Sequence, residues 1–136
     1  MSDVNWTKSD TVWKAYPNVV SAWAFGSAQG GELRPGSDLD IGVYFVMTPS
    51  LDELAGLRGD LQSAFQVDEI DLVPLNDANP YLRFEAVCGR NLFCRDIAEC
   101  AEFVSLTARE YEDEKAFLRR ALRESGKEAS ASSDYE

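Results

Sequence analysis

The sequence predicts an α/β (α+β) domain: a small mixed β-sheet flanked by helices and finished by one long C-terminal helix. Three observations predict it. Two runs, Val19–Phe25 and Ile41–Val46, are rich in Val, Ile and aromatic residues, and the segment between them holds Gly30, Gly31, Pro35 and Gly36. Apolar runs bounded by Gly and Pro read as buried strands joined through a turn. Leu51, Leu54, Leu57, Leu61 and Phe65 then recur at helical spacing ahead of a third short run at Ile70–Val73, which implies a crossover helix between two strands. Beyond Asp96, a stripe of Ile97, Ala101, Val104, Ala108, Tyr111, Leu118 and Leu122 keeps to steps of three and four with one gap.

Each element has a local reason. Residues 3 to 16 read as a first helix with Val4, Trp6, Val12, Trp13 and Tyr16 as its apolar content, capped at Thr7 or Ser9 and stopped by Pro17-Asn18. A first strand follows at 19 to 25, then a turn of helix from Ser27 that Gly30-Gly31 keeps short, then a second strand over 38 to 46. Ser50 with Glu53 makes a capping box for the leucine-rich helix. Asp68 to Val73 is the third strand, and Asn76 to Pro80 a turn that starts a helix at Tyr81, which ends at Cys88 before Gly89. Asn91 to Cys94 reads as a short edge strand. Asp96 caps the last helix, which at ~1.5 Å per residue is about 40 Å long, longer than so small a core, so its distal half is expected to project or to meet another chain. One domain over 1–124 is expected, with a core at about 19–95 and the helix at about 96–124; the Ser, Ala and acid content of 125–136 reads as a disordered tail.

Composition narrows the partners. Thirteen basic and 24 acidic residues give a formal charge of −11, and there is no histidine. A His-based triad and a His-ligated zinc site are therefore excluded. So acidic a surface repels nucleic acid and favours a basic protein partner. Cys88, Cys94 and Cys100 are odd in number and spaced by six, a pattern of neither a zinc site nor a disulfide framework, so reduced, buried thiols are expected. No apolar run is long enough for a membrane span, and a cytoplasmic protein is expected.

The chemistry lies around the first two strands. Asp38 and Asp40 are two apart at the start of the second strand and share a face. Two carboxylates held together call for a cation, and Mg²⁺ is the hard ion that suits carboxylate and phosphate oxygens. Gly26 and Ser27 end the neighbouring strand. A helix starting at Ser27 would turn free N–H groups toward a phosphate, and Gly26 has no Cβ to block close approach.

Gly26-Ser27, ten residues, then Asp38-Leu39-Asp40, framed by two apolar strands, resembles the nucleotidyltransferase superfamily of DNA polymerase beta and the kanamycin nucleotidyltransferases. That resemblance implies a polymerase beta-like fold and a third acid on the strand after the crossover. Asp71, in Ile70-Asp71-Leu72-Val73, matches best; Asp68 is the alternative, at an odd offset and so on the opposite face. It further implies two Mg²⁺ ions on Asp38, Asp40 and Asp71, with Gly26 and Ser27 holding the β- and γ-phosphates of a nucleotide and Asp71 able to take the proton of the attacking hydroxyl. The small size and the stretch Asn79-Pro80-Tyr81-Leu82-Arg83-Phe84-Glu85, then Gly89 and Leu92-Phe93, resemble the stand-alone MntA-type antitoxins of HEPN/MNT toxin–antitoxin pairs. That family implies transfer of AMP from ATP to a tyrosine of a HEPN-domain toxin within a hetero-oligomer, with neither nucleic acid nor membrane as a direct partner.

The sequence departs from the family after Ser27. Ala28 and Gln29 stand where many relatives carry basic residues, so the triphosphate must lean on metal, backbone or Arg34. Arg83 is read either as a phosphate contact or as one half of a salt bridge. The acidic block Glu110, Glu112, Asp113 and Glu114 reads as a solvated face or as a surface for a basic partner. Two other functions compete: a small-molecule nucleotidyltransferase, and a binding antitoxin with vestigial acids.

Overall fold

The computed structural model describes residues 2–26, 32–33 and 38–126. Ser27, Arg34, the turn of helix expected from Ser27 and residues 127–136 of the expected tail lie outside the described residues. Strands β2 (Val19–Phe25), β4 (Leu39–Phe45), β5 (Ile70–Pro74) and β6 (Arg90–Cys94) form a mixed sheet in the order β5-β4-β2-β6. β2 runs antiparallel to β4 and β6, whereas β4 and β5 are parallel and joined by the crossover helix α2 (Leu51–Phe65). Two short strands, β1 (Ser2–Asp3) and β3 (Glu32–Leu33), pair with each other.

The sheet is covered on both faces, and the strand sequences show why. Every residue of β2 is buried. Along β4, Leu39, Ile41, Val43 and Phe45 are fully buried against Trp13 of helix α1 (Asp10–Lys14) and Leu57, Leu61 and Phe65 of α2. The alternate β4 positions face the other side, where Trp23, Phe25, Leu75, Ala86 and Phe103 form a second core under α3 (Pro80–Val87) and α4 (Ile97–Glu124). Gly42 lets α3 come close: a Cβ there would lie 3.1 Å from the Cβ of Ala86. Tyr44 stacks on Phe103 with ring centroids 3.9 Å apart, which seats α4 on the sheet. The caps are local: Ser50 accepts from the Glu53 N–H, Asn79 from Leu82, and Asp96 from Ala98 and Glu99. Each contributes about 1 kcal/mol.

Several expectations are corrected. The first helix shrinks to a 3₁₀ turn at Trp6–Ser9 and the five residues of α1, because Asn5 caps the turn and the Ser9 hydroxyl bridges the Trp6 carbonyl and the Trp13 indole N–H. Cys94 and Cys100 are disulfide-bonded, with Cα atoms 6.3 Å apart, since β6 runs directly into the first turn of α4; Cys88 is a free, exposed thiol rather than a buried one. On α4 the buried positions are Cys100, Phe103 and Thr107, beside the apolar stripe and not on it. Arg83 resolves as a structural clamp. It forms an ion pair with Glu110 at 3.0 Å and donates to the carbonyls of Leu75 and Asn76; with Glu112 paired to Lys115, two members of the acidic block are engaged within the chain.

Candidate active site

Three strand ends meet at the candidate site. Phe25 is the register partner of Asp40, so Gly26, the next residue, emerges beside the Asp40 carboxylate. Gly26 has φ +79°, and a Cβ there would lie 2.5 Å from Asp40 Oδ2. Glycine is required twice over, for the positive φ and for the close approach. On the other side Asp40 pairs in parallel register with Asp71. Residues in register on neighbouring strands point to the same face about 4.8 Å apart. Asp38 precedes β4, exposed, two positions before Asp40. The bond from the Leu39 N–H to the Glu69 carbonyl, 3.2 Å, starts the ladder that sets this register. Asp68 falls in the bend before β5, outside the pairing. Asp38, Asp40, Asp71 and Gly26 thus converge at one end of the sheet, while Ser27 lies outside the described residues.

The site is electrostatically strained. Asp40 is half-buried, and its carboxyl is pushed above the ordinary range, first by burial and then by the like charges of Asp71, Asp38 and Glu85. The ion pairs among the described residues, Arg83–Glu110 and Lys115–Glu112, lie elsewhere. Glu85 was not singled out as a site residue from sequence. It comes from α3, which the Gly42–Ala86 contact holds over β4; the only local signal was its place in the family-like stretch that begins at Asn79.

The donor set fits a hard divalent cation, since it consists of carboxylate oxygens whose mutual repulsion a cation relieves. Among the described residues no three acids or thiols are already gathered closely enough to hold one ion. The cofactor expectation therefore has its chemistry here but no preformed cage.

The family model of the polymerase beta nucleotidyltransferases matches residues 8–98, and the chain belongs to that family of nucleotidyltransferases. Its fold is shared with solved toxin–antitoxin structures. A chain from a toxin–antitoxin with AMP-PNP superposes with TM-score 0.72 at 24% identity, covering 89% of this chain and 98% of that one. A chain of an MntA–HepT toxin–antitoxin gives TM-score 0.66 at 21% identity over 88% and 94%. A chain from a complex of a tri-AMPylated HEPN toxin of Shewanella oneidensis with its MNT antitoxin gives 0.66 at 22% over 88% and 93%. No curated protein matches the chain. No helix among the described residues is long and apolar enough to cross a membrane.

Proposed function

We propose that this chain is a Mg²⁺-dependent adenylyltransferase that moves AMP from ATP to a hydroxyl of a protein partner, a tyrosine of a HEPN-type toxin, and so acts as the antitoxin of a type VII pair in the cytoplasm. The observation that carries the reading is the register of Asp40 with Asp71 beside Gly26. It sets carboxylates next to a glycine whose missing Cβ allows close approach.

In this reading Asp38, Asp40 and Asp71 would hold two Mg²⁺ ions, whose chemistry is to neutralise charge on the phosphates and on the attacking and leaving oxygens. Gly26 and Ser27 bind the β- and γ-phosphates through backbone N–H groups and the Ser27 hydroxyl. The acceptor oxygen forms a bond to the α-phosphorus, the bond from that phosphorus to the bridging oxygen of pyrophosphate breaks, and Asp71 takes the hydroxyl proton. The family membership and the fold shared with toxin–antitoxin chains support the partner class. The test is incubation of the chain with ATP, Mg²⁺ and a HEPN-type protein that co-purifies with it, read by intact mass. Addition of AMP units to the partner, absent with Asp40→Asn, is expected; AMP found only on small-molecule acceptors, or neutralisation without transfer, refutes the reading.

A further inference from the structure

Glu85 is an acid that the fold does not use. It lies exposed on α3 and makes no hydrogen bond or ion pair among the described residues. Arg83, two residues earlier, is tied to Leu75, Asn76 and Glu110, so α3 is held without any help from Glu85. Two glycines fix where Glu85 stands. Gly42 receives the neighbouring Ala86, and Gly42 lies two positions from Asp40 on the same strand face. Gly89 receives the sheet at the end of the helix: a Cβ there would run into the Ala24 carbonyl and lie 3.0 Å from the Phe25 Cβ. Phe25 is the register partner of Asp40. Helix α3 is therefore pinned to β4 and β2 beside the acids, and the charge of Glu85 is felt at Asp40 together with those of Asp71 and Asp38.

An unpaired carboxylate at this place works against the nucleotide. It adds to the repulsion among the acids and has the same sign as an incoming triphosphate. Adenine and ribose offer it only neutral groups, and an exposed carboxylate gains little from those over water. Divalent cations on Asp38, Asp40 and Asp71 are taken up by the triphosphate as well, so Glu85 is left as surplus negative charge beside the loaded site. A cation on the acceptor is the group that gains from it. We infer, on the adenylyltransferase reading above, that Glu85 selects the acceptor by receiving a Lys or Arg side chain that flanks the hydroxyl taking AMP.

The exposed position suits that role. A carboxylate on the open side of α3 stays hydrated until the acceptor arrives, and such a contact governs encounter and partner choice more than the chemical step. Glu85 is a specificity residue in this arrangement, while Asp71 takes the proton. Its loss should therefore act on acceptor binding and spare Mg·ATP.

Two tyrosine peptides of equal length, one with arginines and one with glutamates beside the tyrosine, serve as probes. The full chain is loaded with Mg²⁺ and an ATP analogue whose α- and β-phosphorus are joined by a methylene, so that no transfer occurs. Fluorescence anisotropy should show tighter binding of the arginine peptide. Glu85→Gln should cut that preference about fivefold, the size of an exposed ion pair, and Glu85→Lys should cut it further. Asp113→Asn removes an equal charge from the exposed surface of α4 and should leave the preference unchanged. With the co-purifying HEPN-type protein as acceptor, the Glu85 variants should raise KM for that protein and not lower kcat. Equal effects of Glu85→Gln and Asp113→Asn overturn the assignment, because the peptide then reads only net charge. Weaker calorimetric binding of the Mg²⁺-loaded analogue to Glu85→Gln also overturns it, by making Glu85 a metal or nucleotide ligand. Peptide discrimination through Glu85 without any transfer to the HEPN-type protein would uphold Glu85 and defeat the proposed activity. Transfer with an unchanged KM in Glu85→Lys would do the reverse.

Discussion

Replacing Asp40 by Asn separates the electrostatic strain of the site from its chemistry. Asp40 and Asp71 are register partners on adjacent strands, so their charges stand at about strand spacing, ~5 Å. Two unit charges at that distance repel by roughly 0.8 kcal/mol in water and about 3 kcal/mol at an effective dielectric constant of 20. Asp71 is exposed and Asp40 only half-buried, and solvent and salt screen such pairs, which leaves about 1 kcal/mol. Asp40→Asn should therefore raise the melting temperature of the metal-free protein by about 3–4 °C at neutral pH. The pH dependence has a definite sign. A carboxyl whose pKa is raised in the folded state contributes stability below its unfolded value, ~3.9, and loses that contribution as pH rises through the folded value. The wild type carries the penalty at pH 7, so the gain from Asn should shrink toward zero below about pH 4. Adding Mg²⁺ with ATP should raise the wild-type melting temperature and leave that of the variant nearly unchanged, while transfer falls on the order of 10³-fold or more, a loss of about 4 kcal/mol. Calorimetry across pH with and without Mg²⁺, paired with a transfer assay, measures all three. A variant no more stable than wild type in metal-free buffer, or one with near-wild-type turnover, refutes the reasoning.

Asp71→Asn should block transfer while leaving Mg·ATP affinity largely intact by calorimetric titration, and Asp68→Asn should change neither transfer nor affinity; inactivation by Asp68→Asn alone would move the third acid out of the β4–β5 register. Gly26→Ala should cost about 1–2 kcal/mol in denaturant unfolding, because alanine resists the positive φ, and should cut transfer more than the fold loss explains by displacing Asp40. Tyr16 donates to Asp60 Oδ2 at 2.7 Å, and burial followed by that carboxylate pushes its pKa up to about 12. A raised folded pKa keeps its stability below the unfolded value near 10 and loses it as pH rises to about 12. Denaturant midpoints should therefore fall over that window in the wild type and stay flatter in Tyr16→Phe.

What the sequence determined by itself was local. The apolar run after Asp40 marks β4 and so puts Asp38 and Asp40 at its start from local sequence alone. Ser50 and Asn79 cap their helices because the groups they satisfy are three residues away. The apolar runs mark β2 and α2 at the residues where the structure has them. What joins distant segments was decided only in three dimensions. Asp71 stands beside Asp40, and Asp68 does not, because the crossover through α2 and the Leu39–Glu69 hydrogen bond fix one register of two parallel strands. The charge of Glu85 is felt at Asp40 because Gly42 leaves room for α3 over β4. Helix α4 shows the limit most clearly. Its periodicity announces an apolar stripe, but the rings of Trp23 and Tyr44 select the adjacent stripe through Phe103. A repeat along one helix states that a face is apolar; only the surfaces available to it decide which face is buried.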